Sequence, residues 1–142
     1  MSKLLDVNLA LVILHGEHEH SPIAQTWLPE QKEPGSLLLC RVVQMGVLRL
    51  LTRRAMMGGR LLSAKEAWSY WNTLLSDGRF RPVEEPLGLE DAWESVAERL
   101  RTGACLDTDT YLAAFALAGG YTLATFDKGF IRFAGLQTEL LS

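Results

Sequence analysis

Three aspartates at separated points of the chain are the residues best suited to chemistry. Asp6 ends one apolar run, Asp127 ends another, and Asp109 lies at the start of a predicted helix. Because ligands collect at the carboxyl ends of parallel strands, the three carboxylates are able to converge on one edge of a sheet. Converging carboxylates repel one another, and a bound hard divalent cation relieves that repulsion. The pattern therefore predicts a Mg²⁺ or Mn²⁺ site formed by Asp6, Asp109 and Asp127.

Each of these aspartates also has an ordinary structural role open to it. Asp6 could cap the helix that follows it, and Asp109 could simply favour a helix amino terminus. Asp127 begins an Asp-Lys-Gly segment that is typical of a turn. The metal-site interpretation therefore depends on a strand order that brings the three side chains together, and patterning alone leaves that order open.

The segment 107–110 also fits the DxDxT nucleophile motif of haloacid-dehalogenase-like phosphatases. That motif follows a long first strand, and residues 103–106 are too few to form one. Asp107 is close enough to Asp109 in sequence to assist at the metal or to cap the helix, and capping is the expected role.

The histidines and cysteines do not form a second chemical site by their spacing. His15, His18 and His20 lack the HExxH arrangement of a zinc site, so a solvent-exposed turn is the expected structure. Cys40 and Cys105 lie far apart and outside any CxxC pair, which indicates reduced core residues.

Composition predicts one globular domain over residues 1–142, since 48% of the residues are apolar and 22% are charged. No apolar run approaches the roughly 20 residues of a membrane helix, and Asp6 interrupts the stretch where a signal peptide needs continuity. We therefore expect a cytoplasmic protein that does not enter the membrane.

The net charge of −3 excludes nucleic-acid binding by global electrostatics. The local basic cluster, formed by Arg49, Arg53, Arg54 and Arg60, fits a phosphate track and a solvated helix face equally well.

Apolar runs alternate with amphipathic segments along the chain, which predicts an α/β fold. Strands are predicted at residues 3–7, 36–40, 79–83 and 121–126, with an edge strand within 136–140. Helices are predicted at 9–15, 21–27, 43–52, 63–76, 89–101 and 108–118, with Ser21, Ser63 and Thr108 as amino-terminal caps. This order implies a mainly parallel sheet covered by helices on both faces.

Four segments in sequence resemble the PIN-domain toxins of the VapC type in order and spacing: residues 4–8, 40–51, 108–116 and 123–130. The resemblance covers nearly the whole chain. It implies a three-layer α/β/α sandwich and a Mg²⁺- or Mn²⁺-dependent endoribonuclease activity. It also implies inhibition by a small antitoxin protein whose carboxyl-terminal segment lies over the active site.

By the same resemblance, Asp6 matches the first acid of the family, Asp109 the third and Asp127 the fourth. Asn8 and Thr125 match neighbouring polar positions that help to position metal-bound water. Many PIN domains carry a glutamate in the helix after the second strand, where this chain has Gln44. An amide retains a carbonyl oxygen without the charge, and we interpret Gln44 as a variant second-position residue.

Two functions follow as hypotheses. In the first, the chain is the toxin of a type II toxin–antitoxin pair and hydrolyses RNA phosphodiester bonds with Asp6, Asp109 and Asp127 as ligands and Gln44 as an orienting residue. In the second, the fold is a catalytically weak RNA- or protein-binding module. A homodimer is expected to form through the helices near Trp27 and Trp68.

Overall fold

The computed structural model describes residues 1–15, 19–53, 61–100 and 107–142 of the chain. Five strands form one sheet in the order β3-β2-β1-β4-β5, and every neighbouring pair is parallel. The strands are β1 (Lys3–Leu5), β2 (Leu37–Leu39), β3 (Phe80–Pro82), β4 (Thr122–Thr125) and β5 (Thr138–Leu140). The predicted parallel sheet is therefore confirmed, although each of β1 to β4 is shorter than its predicted range.

The described residues include six α-helices between these strands: α1 (Val7–Leu14), α2 (Ser21–Trp27), α3 (Arg41–Arg53), α4 (Ala64–Ser76), α5 (Leu89–Glu98) and α6 (Thr108–Gly119). Short 3-10 helices lie at Leu28–Glu30 and Lys128–Arg132. Helix α1 packs on α2 and on α3, and α3 packs on α4. Helix α5 packs on α6. Together with the sheet they form the predicted α/β/α sandwich. Within the described residues, no helix is long and apolar enough to cross a membrane.

The central strands are apolar on both faces, because helices cover both sides of a parallel sheet. The β1 residues Leu4 and Leu5 are fully buried, as is the β4 residue Leu123. Helix α6 is covered all round its middle, where residues 110–116 are all buried. An apolar helix of that kind lies inside the core, which fixes the position of Asp109 in its first turn.

Helix boundaries agree with the predictions where a local signal is strong. The capping box at α4 is present: the Glu66 amide donates to Ser63 Oγ at 3.1 Å, and the Ser63 amide donates to Glu66 Oε1 at 3.1 Å. Helix α6 ends at Gly120, which has a left-handed φ of 69°. Helix α5 ends at Glu98, and the remainder of its predicted range reaches residues outside those described.

Two predicted caps are wrong. His20 is the cap residue of α2, while Ser21 lies inside the helix and donates its hydroxyl to the His15 carbonyl at 2.8 Å. Thr108 is the first residue of α6, and Asp107 caps the helix, which confirms the role expected for Asp107: its carboxylate accepts the Asp109 amide at 3.1 Å. Asp107 and Thr108 are both residue types that favour a cap position, so the local sequence offered both.

The predicted exposure of the histidine turn is wrong for His15, which is 8% exposed. The His20 side chain is 42% exposed, and its ring stacks on Phe126 with centroids 4.7 Å apart. Cys40 is a buried free cysteine, as predicted. His18, Arg54, Arg60 and Cys105 lie outside the described residues.

Candidate active site

Asp6 is the best-anchored residue of the candidate site. It follows β1 directly and caps α1, where its Oδ1 accepts the Leu9 amide at 2.8 Å. Its Oδ2 accepts a hydrogen bond from the Thr125 hydroxyl on the neighbouring strand β4. Only 4% of Asp6 is exposed. The capping role that was open from the sequence is thus real, and it holds the carboxylate rigidly at the carboxyl edge of the sheet.

Thr125 links Asp6 to Asp127. Its Oγ1 accepts the Asp127 amide at 2.9 Å while its hydroxyl hydrogen is donated to Asp6. Asp127 itself is exposed, and its Oδ1 accepts the Gly129 amide at 2.7 Å at the start of the 3-10 helix. Asp127 therefore also has the turn role that the sequence left open. It follows β4, the strand adjacent to β1.

Asp109 lies in the first turn of α6 with its side chain 33% exposed. The Arg132 guanidinium is 3.9 Å from Asp109 Oδ2 and 3.4 Å from Asp107 Oδ2. The same guanidinium lies 4.3 Å from the centre of the Phe133 ring. Sequence reasoning missed Arg132, and the one available signal was its position five residues after Asp127.

The three aspartates interact electrostatically. The pKa of Asp6 is raised from 3.8 to about 6, chiefly by burial and to a smaller extent by repulsion from the Asp109 and Asp127 carboxylates, against the hydrogen bonds from Thr125 and Leu9. Burial also raises the pKa of Asp109, with added repulsion from Asp107 and Asp127 and a smaller opposing effect of Arg132. The fold therefore brings Asp6, Asp109 and Asp127 to one edge of the sheet, as the strand ends predicted.

The chemistry of this site fits a hard divalent cation, because its donors are carboxylate oxygens that repel one another. Within the described part of the chain, however, no three His, Cys, Asp or Glu side chains are grouped closely enough to hold a metal ion as they stand. The contacts explain this arrangement, since both Asp6 oxygens accept hydrogen bonds and Asp109 is drawn to Arg132. Rotation of the more exposed Asp109 and Asp127 side chains would be needed to enclose an ion.

Gln44 makes no hydrogen bond to these carboxylates among the described residues. It is in the first turn of α3, and its amide oxygen accepts a hydrogen bond from Arg41. It borders a cavity of about 660 Å³ whose other polar residues include Glu85 and Tyr111. Asn8, in the first turn of α1, is exposed to solvent.

Comparison with known families resolves the identity of the fold. The family model described as PIN domain matches residues 3–136. The chain belongs to the PIN-domain family. Ribonuclease VapC41 from two Mycobacterium tuberculosis strains is 36% identical to this PIN domain over 143 residues, which cover 98% of each chain. The resemblance to VapC-type PIN domains is therefore confirmed.

Solved structures of VapC proteins share the fold of this PIN domain. VapBC-1 from nontypeable Haemophilus influenzae superposes with a TM-score of 0.72 at 16% identity, covering 99% of this chain and 98% of that one. VapBC2 from Rickettsia felis, bound to a promoter DNA fragment, superposes with a TM-score of 0.71 at 15% identity over the whole of both chains. VapC20 of Mycobacterium tuberculosis, a sarcin-ricin loop cleaving toxin, has a TM-score of 0.67 at 17% identity, covering 99% of this chain and 100% of that one.

Proposed function

We propose that this PIN domain is an endoribonuclease that acts in the cytoplasm as the toxin of a toxin–antitoxin pair. The observation that carries the proposal is the placement of Asp6 and Asp127 at the carboxyl ends of the adjacent parallel strands β1 and β4, joined through Thr125, with Asp109 near enough to repel the Asp6 carboxylate. The identity to Ribonuclease VapC41 along almost the full chain supports RNA as the substrate.

Asp6, Asp109 and Asp127 would hold Mg²⁺ or Mn²⁺. A bound ion of this kind supplies a Lewis acid and lowers the pKa of a coordinated water. Asp6 is fixed in advance by Leu9 and Thr125, so it loses little side-chain freedom when the site is occupied.

The residues around these ligands have separate roles in the proposal. Arg132 adds positive charge at the same edge, where the scissile phosphate of the RNA would bind. Gln44, which stands where many PIN domains carry a glutamate, is proposed as a positioning residue. In that role its side chain no longer accepts the hydrogen bond from Arg41. Thr125 keeps both Asp6 and the backbone of Asp127 in place.

The direct test is cleavage of RNA by the purified protein in Mn²⁺, with EDTA and the Asp6→Asn variant as controls. We expect cleavage that EDTA abolishes and that Asp6→Asn lacks. Asp91→Asn, which removes an exposed carboxylate in the first turn of α5, should cleave like the wild type. Equal cleavage by the Asp6→Asn variant would exclude this active site.

A small antitoxin is the proposed protein partner, with its carboxyl-terminal segment over the active site. Several solved neighbours are VapBC assemblies, which supports a partner of this class. The proposed homodimer would form through α2 and α4. Trp27 of α2 is buried and donates to Glu139 at 2.8 Å within the monomer, so an exposed α4 side chain such as Tyr70 would supply the contact. Sedimentation of the wild type and of Tyr70→Ala tests the dimer directly.

A second candidate function is a PIN fold that binds RNA or protein without cleaving it. Two observations favour this candidate. Gln44 accepts a hydrogen bond from Arg41, and no three ligand side chains among the described residues are grouped closely enough to hold a metal ion. Calorimetry separates the two functions. Binding of RNA or antitoxin without any binding of Mn²⁺ at millimolar concentration would select the non-cleaving module.

A further inference from the structure

A second groove begins beside the carboxylates and runs between α3 and α4. We call it the α3–α4 groove, and its volume is about 580 Å³. Its lining includes Val7 and Thr108, the immediate chain neighbours of Asp6 and Asp109. The groove therefore borders the part of the chain that carries two of the candidate ligands.

Close packing of α3 on the start of α1 fixes this geometry. A Cβ atom added to Gly46 would lie 2.9 Å from Val7 Cγ2, so only glycine allows the two helices to approach so closely. Gly46 and Val7 both line the groove. The outer face of α3 is thereby held beside the carboxyl end of β1.

The groove carries positive charge that the rest of the described molecule does not neutralise. Arg49 and Arg53 both line it, and both are exposed. They are four residues apart on α3, which places them about 6 Å apart along the helix axis, on the same face. Neither forms an ion pair with another described residue. In a chain of net charge −3, two such arginines supply local attraction for a polyanion.

The opposite wall presents a large aromatic surface. Trp68 on α4 lines the groove and is 48% exposed, whereas Trp71 on the same helix is buried in the core. Exposed Met45 adds apolar surface on the α3 side. Grooves that bind single-stranded nucleic acid combine basic residues for the backbone with aromatic rings on which bases stack.

We propose that the α3–α4 groove is a binding track for single-stranded RNA, which guides the strand to the carboxylates. Arg49 and Arg53 contact phosphates, and the Trp68 indole stacks on a base. This proposal rests on the proposed ribonuclease function and identifies the surface that holds its substrate. Charge complementarity favours RNA over an apolar peptide as the occupant, because two exposed arginines without an ion-pair partner among the described residues lie along the groove wall.

The experiment measures binding of a short fluorescein-labelled single-stranded RNA of mixed sequence by fluorescence anisotropy at several salt concentrations. All proteins carry Asp6→Asn and are kept in EDTA, so that the RNA stays intact. Arg49→Gln/Arg53→Gln is compared with Lys32→Gln/Arg99→Gln, which removes two exposed positive charges that do not line the groove. Trp68→Ala is compared with Trp68→Phe.

Each part of the proposal predicts its own result. The groove double variant should bind RNA at least tenfold more weakly than the control, with a salt slope reduced by about 1.4, or about 0.7 for each lost phosphate contact. Trp68→Ala should weaken binding about tenfold without changing the slope, and Trp68→Phe should retain most of the affinity.

Equal RNA affinity of the groove variants and the control would overturn the proposal. The proposal also fails if these substitutions spare RNA binding but weaken antitoxin binding or dissociate a dimer, since the groove would then hold a protein. Failure of the ribonuclease function is distinguishable, because it would appear as no Mn²⁺-dependent cleavage by the wild type while the groove still bound RNA.

Discussion

The Thr125 hydroxyl donates to Asp6 across two neighbouring parallel strands, and the same oxygen accepts the Asp127 amide at 2.9 Å. A single fully buried side chain thus supports two of the three candidate metal ligands. The register that pairs Leu5 with Ala124 makes this possible, because it places the residues after them side by side. The carboxylate site is therefore built into the sheet and does not depend on a long loop.

Replacing Thr125 with valine should damage both stability and the site. Valine keeps the shape but removes the hydroxyl, which leaves Asp6 Oδ2 and the Asp127 amide without their partner. We expect a loss of about 1–3 kcal/mol in the free energy of unfolding and a further rise in the pKa of Asp6. Urea unfolding and NMR titration of the Asp6 carboxyl carbon measure the two effects. Thr125→Ser is the matched control and should retain both; an unchanged Asp6 pKa in the valine variant contradicts the assigned bond.

Asp6→Asn should stabilise the metal-free protein, and the gain should depend on pH. The pKa of Asp6 rises from 3.8 to about 6 on folding, so the folded protein holds its proton more tightly than the unfolded chain. Wild-type stability therefore falls as pH rises through this window, and the penalty is complete above about pH 6. The penalty is on the order of 3 kcal/mol at about pH 7.5 and about 1 kcal/mol at about pH 4.5.

Urea unfolding in EDTA at those two pH values provides the measurement. Asparagine remains a good helix cap, so the cap of α1 should survive the substitution. Asp91→Asn serves as the control for a carboxylate that is exposed. A stabilisation of equal size at both pH values would show that burial of the Asp6 charge is not its source.

Arg132→Gln should free Asp109 for a cation. The guanidinium now lies 3.9 Å from Asp109 Oδ2 and helps to hold its pKa down. We expect Mn²⁺ to bind more tightly to this variant than to Lys128→Gln, which removes an exposed charge from the same 3-10 helix. Because Arg132 and Asp109 are both partly exposed, stability should change by less than about 1 kcal/mol. Calorimetric titration decides the point, and equal Mn²⁺ affinities would show that Arg132 does not compete for Asp109.

Gln44→Ala should separate positioning from metal binding. If Gln44 orients water from the place of the family's glutamate, its removal lowers RNA cleavage by about 10- to 100-fold while Mn²⁺ still binds. Asp6→Asn, in contrast, should lose both. Cleavage rates and calorimetry on the two variants provide the comparison. Wild-type cleavage by Gln44→Ala would leave the residue with only its observed bond to Arg41.

The sheet and the shared edge on which Asp6 and Asp127 lie were predictable because the signals are local and repeated. Leu4 and Leu5 precede Asp6, and a similar apolar run precedes Asp127, so the strand ends are visible in the sequence. Parallel strands then place those ends on one edge. The first turn of α6 was predicted for the same reason, from a cap-forming residue before an apolar helix.

The remaining features depend on contacts between distant parts of the chain. Arg132 reaches Asp107 across 25 residues, and that approach requires the 3-10 helix to pack beside the start of α6. The burial of His15 accompanies the packing of α2 on α1, where the Ser21 hydroxyl donates to the His15 carbonyl. The hydrogen bond that Gln44 accepts from Arg41 likewise reflects the direction of two side chains on α3, which periodicity does not specify. Such relationships follow from tertiary packing and carry no local pattern.

Calorimetric titration of Mn²⁺ into the purified protein near neutral pH tests most directly whether three aspartates share one cation. The wild type and the Asp91→Asn control should bind Mn²⁺ with the same affinity. Asp6→Asn, Asp109→Asn and Asp127→Asn should each bind it far more weakly. Wild-type affinity in any one of these three variants would remove that residue from the site, and wild-type affinity in all three would contradict the account.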